Sequence, residues 1–274
     1  SLIISLFFIY RIIRSILEFQ KWWQNFNINI GGLDAILLHI SKIRKINIKS
    51  NKIYSKINLK LNNAKFLYEN NLIFNNIDLE IKYLDFIGLK GKSGSGKTTL
   101  INIIMGLSKM NQGTYKVNDQ IIKDIDFYSL RKNIGYVSQN LVIFNDTIKN
   151  NLTLWNKEIS DQKVIDVLKK LNLHEYASPT GLAITIDDGG KNISGGQMQR
   201  INLAREIIRE TEILILDEPT SSLDTFNKES FEKLVKSLKS QHTIIVISHD
   251  DKFLNLCDKV YEICDKKLVI KNNV

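Results

Sequence analysis

A glycine-rich run, Gly91–Thr98 with the letters GKSGSGKT, carries the strongest chemical signal in this 274-residue sequence. Glycines let the backbone wrap closely around a chain of phosphates, and the N–H groups that open a following helix then point at the anion. In this G-x-x-x-x-G-K-[ST] match, Lys97 reaches the β- and γ-phosphates and the Thr98 hydroxyl is a ligand of Mg²⁺. The candidate residues of this phosphate loop are Gly91, Ser93, Gly94, Ser95, Gly96, Lys97, Thr98 and Thr99.

Two acids, Asp217 and Glu218, end the apolar run Ile213–Leu216. A buried strand that ends in two acids places them at the carboxyl edge of a sheet, beside the phosphate loop. We therefore assign Asp217 to Mg²⁺, through its water shell, and Glu218 to the roles of general base and water positioning. An isolated strand end of this kind is as often solvated as functional, and the phosphate loop is what favours the functional interpretation.

Strands that alternate with helices must position these residues. Residue patterning predicts strands at Ala64–Tyr68, Ile77–Ile81, Phe86–Leu89, Tyr136–Ser138, Ile213–Leu216 and Thr243–Ile247. It predicts helices at Thr98–Leu107, Asp161–Leu173 and Gln197–Arg209. The last two strands are continuous apolar runs, which fill parallel sheets covered on both faces. The pattern indicates an α/β sandwich.

The composition, with 43% hydrophobic and 24% charged residues, is that of a chain with a full core and excludes disorder and collagen-like repeats. Two cysteines, Cys257 and Cys264, are too few for a disulfide scaffold and have no metal-binding spacing. We expect a reducing cytosolic environment.

The first 23 residues are interpreted as the end of a membrane helix. The whole net charge of +9 lies in residues 1–65, and the apolar run Leu2–Tyr10 is followed by Arg11, Arg14, Lys21 and Trp22–Trp23. These nine residues are too few to span a bilayer, which takes about 20. Because the sequence begins at Ser1 and not at a methionine, we expect a fragment that starts inside such a helix, with its cytoplasmic exit marked by cations and tryptophans. Two alternatives stay open: a buried amphipathic core helix, and a basic arm for nucleic acid.

Residues 24–61 are interpreted as a helix followed by a linker. Ile36, Leu37, Ile40 and Ile43 have helical spacing, and Asn47–Lys60 alternates polar and apolar residues.

A further set of motifs extends the site. It comprises Asn192-Ile193-Ser194-Gly195-Gly196-Gln197, Gln139 after the strand Tyr136–Ser138, Ser221-Ser222-Leu223-Asp224, and His249 after the strand Thr243–Ile247. With the phosphate loop, residues 62–274 resemble the ATP-binding cassette of an ABC transporter. The resemblance implies an α/β P-loop NTPase fold with a mixed sheet core, an antiparallel β subdomain and an inserted helical subdomain at about residues 145–210.

The resemblance implies a role for each of these residues and identifies ATP and Mg²⁺ as the cofactors. Ser194, Gly195, Gly196 and Gln197 contact the phosphate of a nucleotide held by the opposite protomer, although the loop standing alone would favour an ordinary N-cap role for Ser194. His249 contacts the γ-phosphate, while Gln139 ligates Mg²⁺ and senses a transmembrane partner. Tyr68 stacks on adenine, with Phe66 or a purely structural strand role as alternatives. His39, His174 and His242 are assigned to packing or surface positions.

Two stretches resemble the exporter branch of this family. Residues 131–151 include Phe144-Asn145-Asp146-Thr147-Ile148, which matches a Phe-x-x-Thr-Ile run. Thr185–Gly190 lies where exporters carry a Thr-x-x-Gly-Glu-x-Gly loop that touches the membrane domain. Asp187 and Asp188 replace its glycine and glutamate, which keeps the acidic charge and changes the detail of coupling.

The leading hypothesis is that the chain hydrolyses ATP as the nucleotide-binding domain of an ABC exporter, through a head-to-tail homodimer. Lys97, Gln139, Glu218 and His249 are the expected catalytic residues. The expected partners are a second nucleotide-binding domain and a transmembrane domain fused upstream of residue 1, at the cytoplasmic face of the inner membrane, with no nucleic acid. The alternatives are a stand-alone ABC ATPase of an importer or acting on nucleic acid or ribosomes, and a P-loop kinase or inactive binding module.

Overall fold

The computed structural model of the chain describes residues 2–42, 54–123, 126–221 and 223–271. The chain divides into two compact units, Ser1–Ile48 and Lys49–Val274. Residues 43–53 of the predicted linker and Ser222 of the Ser221–Asp224 run lie outside the described residues.

The first unit contains one helix, α1 (Leu2–Lys42). It joins the predicted apolar segment and the predicted second helix without a break. The side chains of residues 3–27 are exposed, and the rings of Phe19, Trp23 and Phe26 follow one another at centroid distances of 6.3 and 5.9 Å. Among the described residues, no helix combines the length and the apolar content that crossing a membrane requires.

An antiparallel sheet opens the second unit. Its strands are β1 (Leu59–Tyr68), β2 (Asn71–Ile81), β4 (Gln112–Val117) and β5 (Gln120–Ile121), in the order β2-β1-β4-β5. Every pairing in this sheet is antiparallel.

A mixed sheet of six strands follows. Its strands are β3 (Phe86–Gly91), β6 (Ile134–Val137), β7 (Ile213–Asp217), β8 (Thr243–Ile247), β9 (Lys259–Cys264) and β10 (Lys267–Lys271), in the order β10-β9-β3-β8-β7-β6. Only β9 and β10 pair antiparallel, and the other pairs are parallel.

The central strands are buried on both faces because their apolar side chains alternate between two cores. On β7, Leu214 and Leu216 pack in one hydrophobic cluster, while Ile213 and Ile215 pack in the other. The helices of the second unit are α2 (Lys97–Ile104), α3 (Asp126–Lys132), α4 (Ile148–Thr153), α5 (Asp161–Lys170), α6 (Pro179–Leu182), α7 (Gly195–Ile208), α8 (Thr225–Leu238) and α9 (Asp251–Leu254). The helices α4 to α7 form the inserted helical subdomain, so the predicted fold class is confirmed.

Three helix boundaries differ from the predictions for local backbone reasons. The helix α2 ends at Ile104 because Gly106 takes a left-handed φ of 66°, and α5 ends at Lys170 because Asn172 takes a φ of 57°. The helix α7 begins two residues earlier than predicted, directly after its N-cap Ser194.

Candidate active site

The topology brings the predicted residues to one edge of the mixed sheet. Four adjacent parallel strands, β3, β8, β7 and β6, end at this edge. The phosphate loop follows β3, His249 follows β8, Asp217 and Glu218 end β7, and Gln139 follows β6. Ligands of open α/β sheets bind outside the carboxyl ends of the strands. The sequence pattern and the topology therefore indicate the same ligand-binding edge of the mixed sheet.

The phosphate loop takes backbone angles that glycine alone adopts easily. Gly94 has a φ of 76°, and Gly96, the N-cap of α2, has a φ of 105°. A Cβ on Gly96 would also lie 2.8 Å from Phe74 Cζ, so a side chain there would displace β2. The backbone that leads into α2 therefore depends on glycine at both positions.

Lys97 is folded over the loop. Its Nζ donates hydrogen bonds to the carbonyl oxygens of Gly91, at 2.6 Å, and Lys92, at 3.2 Å. The same Nζ lies 3.4 Å from His249 Nε2. The ammonium is thus held at the sheet edge by backbone oxygens and is within reach of a phosphate.

Asp217 is held by a residue to which the sequence analysis gave no role. The phenolic O–H of Tyr136 donates to Asp217 Oδ2 at 2.9 Å. Tyr136 lies on β6, which pairs with β7 in parallel. Burial, and then the hydrogen bond to Asp217, raise the pKa of Tyr136, so that the phenol stays a donor. The available signal was that Tyr136 lies three residues before Gln139 in a predicted strand.

Glu218 is a partly buried acid beside His249 and Lys97. Burial raises the pKa of its carboxyl, and the neighbouring His249 and Lys97 oppose that shift. Its Oε1 lies 3.4 Å from His249 Nε2 and has no hydrogen-bond partner among the described residues. Its backbone takes a left-handed φ of 47°, and its N–H donates to the Ile247 carbonyl at 2.9 Å. This conformation turns the chain away from β7 while it keeps the carboxyl at the strand end.

These residues line one cleft of about 900 Å³. The predicted residues that line it are Ser93, Gly94, Gly96, Lys97, Thr98, Thr99, Gln139, Asp217, Glu218 and His249. The cleft is also lined by Lys228 and Asp250, which were not predicted as site residues. The predicted residues Gly91 and Ser95 do not line it. They pack against each other instead, since a Cβ on Gly91 would lie 2.5 Å from Ser95 Oγ.

The two candidates for an adenine contact differ in exposure. Phe66 is 8% exposed and belongs to a hydrophobic core, whereas Tyr68, at the end of β1, is 66% exposed. Tyr68 is therefore the candidate that has a ring free to stack, although it does not line the cleft.

The signature loop, Asn192–Gln197, lies outside the cleft. Ser194 caps α7 in a capping box, where Gln197 N donates to Ser194 Oγ at 3.2 Å and Ser194 N donates to Gln197 Oε1 at 2.6 Å. Gly196 lets α7 approach α8, because a Cβ there would lie 3.2 Å from Asn227 Oδ1. Ser194 is exposed, and its own O–H remains a potential donor.

The cleft fits a magnesium ion by the chemistry of its oxygen atoms. The Thr98 hydroxyl, the Asp217 carboxylate and the Gln139 amide all line it. Mg²⁺ is usually bound through one or two carboxylates together with the phosphates of a substrate. The other histidines have different settings: His242 is buried, with Nδ1 2.8 Å from the Thr211 carbonyl, and His174 is exposed.

The fold and the cleft define a nucleotide-binding cassette of the P-loop class. The family model for ABC transporters matches residues 74–221. A probable ABC transporter ATP-binding/permease protein of Haemophilus influenzae is 33% identical over 200 residues, which are 72% of this chain and 36% of that protein. An ATP-dependent lipid A-core flippase of Syntrophus aciditrophicus is 32% identical over 77% of this chain and 35% of its own length.

A solved structure agrees with these relatives. It is that of a bacterial Atm1-family ABC exporter with ATP bound, with a TM-score of 0.71 and 25% identity over 80% of this chain and 39% of that chain. The chain belongs to the ABC transporter family, as the motifs predicted. It spans about a third of the length of the relatives it matches.

Proposed function

We propose that this chain is the ATP-hydrolysing domain of an ABC exporter, in which hydrolysis drives transport of a substrate across a membrane. The observation that carries the proposal is the meeting of three side chains at the cleft, where His249 Nε2 lies 3.4 Å from both Lys97 Nζ and Glu218 Oε1. They supply a phosphate-binding cation, a base and a contact for the γ-phosphate. Phosphoryl transfer depends mainly on such positioning and charge neutralisation.

Each residue then has a defined task. Lys97 and the backbone N–H groups of the phosphate loop hold the β- and γ-phosphates. Glu218 orients the attacking water and accepts its proton, a role that the raised pKa of its carboxyl favours. His249 holds the γ-phosphate. Tyr68 stacks on the adenine.

The magnesium ion completes this site. Thr98, Gln139 and Asp217 would hold it, and the bound ion neutralises charge on the phosphates. Tyr136 contributes indirectly, because its hydrogen bond fixes one carboxylate oxygen of Asp217 and leaves the other for the ion or its water shell.

The proposed active form is a head-to-tail homodimer. Supporting this, the signature loop does not line the cleft of its own chain, while Ser194 is exposed at the start of the 14-residue helix α7. Helix N-termini bind anions through their free N–H groups and the helix dipole. Ser194, Gly195, Gly196 and Gln197 of one copy would therefore cover the nucleotide in the cleft of the other copy.

An exposed apolar face of the helical subdomain fits the proposed contact with a transmembrane domain. This face consists of Val142, Phe144, Leu154, Trp155 and Ile184, which are 36% to 54% exposed. It follows Gln139 in sequence, so a partner bound to it would be linked to the cleft. Of these, Phe144 and Trp155 are in ring contact, with centroids 5.1 Å apart, and exposed apolar side chains that cluster indicate a protein contact.

The face is fixed to α7 by a buried arginine. Arg205 Nε donates to the Asn151 carbonyl at 2.6 Å, and its Nη1 donates to the Val142 carbonyl. The loop Thr185–Gly190 lies beside this face, since Thr147 and Thr185 form an isolated bridge. Asp187 and Asp188 thus belong to the same proposed contact.

We place the chain at the cytoplasmic face of the inner membrane, with residues 1–23 as the end of a membrane helix. The exposed apolar and aromatic side chains of α1 support this. Deleting residues 1–23 is expected to remove detergent binding by the chain and to leave ATP affinity unchanged. Binding of the intact chain to duplex DNA with a steep salt dependence, together with full solubility without detergent, would instead favour the stand-alone nucleic-acid ATPase.

The proposed function is tested by measuring the rate of phosphate release from ATP in the presence of Mg²⁺ and detergent, over a range of protein concentrations. Because two copies complete each site, the activity per chain is expected to rise with concentration and then level off. Activity per chain that is independent of concentration would contradict the dimer, and no phosphate release at any concentration would contradict the ATPase.

A further inference from the structure

Helix α8 is tied to the segment around α9 by one ion pair near each end. Near its start, Lys228 Nζ contacts Asp250 Oδ2, and at its C-cap, Lys239 Nζ contacts Asp258 Oδ1. Only the first pair lines the cleft. The side chains of Lys228 and Asp250 are 31% and 19% exposed, so water screens this pair only in part.

Asp250 connects the first pair to His249. One of its oxygens, Oδ1, accepts the Lys252 N–H at 2.9 Å and caps α9. The other, Oδ2, has no hydrogen bond among the described residues and is in ion contact with Lys228. Its own N–H donates to Ser248 Oγ at 3.0 Å. His249 directly precedes Asp250, so a shift of the Asp250 backbone would also shift the backbone that carries the His249 ring.

Lys228 connects the pair to Glu218. Its N–H donates to the Asp224 carbonyl at 2.9 Å in the first turn of α8. Asp224 caps that helix by accepting the Asn227 N–H at 2.9 Å. Upstream, Ser221 Oγ donates to the Glu218 carbonyl at 3.0 Å. The pair therefore joins the start of α8, whose N-cap Asp224 lies six residues after Glu218, to the residue that follows His249, and His249 Nε2 lies 3.4 Å from Glu218 Oε1.

We propose that Lys228 and Asp250 are a positioning pair for hydrolysis, which holds the His249 loop and the Glu218 turn at the separation that the reaction needs. This proposal rests on the proposed ATPase function. Neither residue is assigned a contact with the reacting atoms.

A third charged group near the pair explains why breaking the Lys228–Asp250 pair would displace His249. Glu232, one turn after Lys228, is buried, and its Oε1 has no hydrogen-bond partner among the described residues. Burial raises the pKa of this carboxyl, and the charge of Asp250 raises it further, while Lys228 lowers it. Removing the lysine takes away the cation that offsets the repulsion between the Asp250 and Glu232 charges, so Asp250 is expected to move, together with the adjoining His249.

A double-mutant cycle on the full chain tests the proposal. Lys228→Met keeps the aliphatic stem, and Asp250→Asn keeps the α9 cap because asparagine caps as well as aspartate. Each single variant is expected to lower kcat about tenfold with ATP affinity unchanged, and the double variant to lose no more than the worse single one. Lys228→Arg, which keeps the charge, should retain most of the activity. The matched control is Lys239→Ala, which breaks the pair at the other end of α8 and is expected to leave kcat unchanged.

Several results would contradict the positioning role of Lys228 and Asp250. If the factors by which the two single variants lower kcat multiply in the double variant, the two residues act independently. If Lys228→Met alone weakens ATP binding, Lys228 is a nucleotide contact. A kcat loss in Lys239→Ala equal to that in Lys228→Met would mean that any loosening of α8 has the same effect. Thermal melting of every variant separates such effects from unfolding. If the wild-type chain releases no phosphate, the ATPase function itself fails, and this proposal fails with it.

Discussion

The cleft and the signature loop are built in opposite ways. The cleft gathers residues from four strand ends of one chain, and it leaves Glu218 Oε1 without a hydrogen-bond partner among the described residues. In the signature loop, Ser194 and Gln197 already satisfy each other's hydrogen-bonding groups within the same chain, in a capping box. The cleft thus has an unpaired group that can bind a ligand within the same chain. The signature loop has its own groups paired and exposes the start of α7. Under the proposed function, this difference requires two copies for one reaction.

The largest effect is expected at Lys97, which should affect binding and turnover together. Lys97→Ala removes the ammonium that is folded over the phosphate loop, so ATP affinity should fall about a thousandfold, as the loss of two charged hydrogen bonds predicts. Fluorescent nucleotide titration measures it. The control Lys157→Ala, on the exposed surface, should bind normally.

A change at Glu218 should separate turnover from binding. Glu218→Gln is expected to lower kcat about a thousandfold, within the range for general bases, and to trap an ATP-bound dimer. The control is Glu229→Gln on the exposed side of α8. Because burial raises the Glu218 pKa, the carboxyl is protonated, and activity is lost, at a higher pH than for an ordinary glutamate. Equal phosphate release in wild type and Glu218→Gln would contradict the base assignment.

A substitution at Ser194 should show whether its hydroxyl only caps α7 or also contacts the nucleotide of the second copy. Ser194→Ala should lower kcat about a hundredfold while the monomer binds ATP normally, if its hydroxyl acts across the dimer. Ser160→Ala is the matched control, because the Ser160 hydroxyl also caps its helix, α5, by accepting the N–H three residues on, and both variants lose about 1 kcal/mol of helix stability. Gly196 is a less clean probe, since its substitution would also press on Asn227. Loss of ATP affinity in the Ser194 monomer would count against action across the dimer.

Tyr136 should give the smallest effect. Tyr136→Phe removes one hydrogen bond to the Asp217 carboxylate, so the Mg²⁺ concentration for half-maximal activity should rise about tenfold, the lower end of what a hydrogen bond to a charged group contributes. Tyr128→Phe on α3 serves as the control. An unchanged Mg²⁺ dependence would show that Asp217 is positioned without the phenol.

The sequence predicted the parts of the site that are local in the chain. The phosphate loop, the Asp217–Glu218 strand end and His249 each follow a recognisable strand, and a parallel sheet brings such ends together. Tyr136, Lys228 and Asp250 were missed because their roles depend on pairing between elements: β6 beside β7, and α8 beside α9. Helix ends were missed where a single backbone angle decides them, as at Asn172.

The most direct test of the two-copy account mixes two inactive variants. Lys97→Ala has a defective cleft and an intact signature loop, and Ser194→Arg has the reverse. In a mixed dimer one site combines the two intact halves, so an equal mixture should recover about a quarter of the wild-type rate of phosphate release, the share that random pairing of copies gives. Each variant alone should stay at background. No recovery on mixing, with mixed dimers verified by differential tags, would contradict the account, because a site completed within one chain cannot be repaired by another.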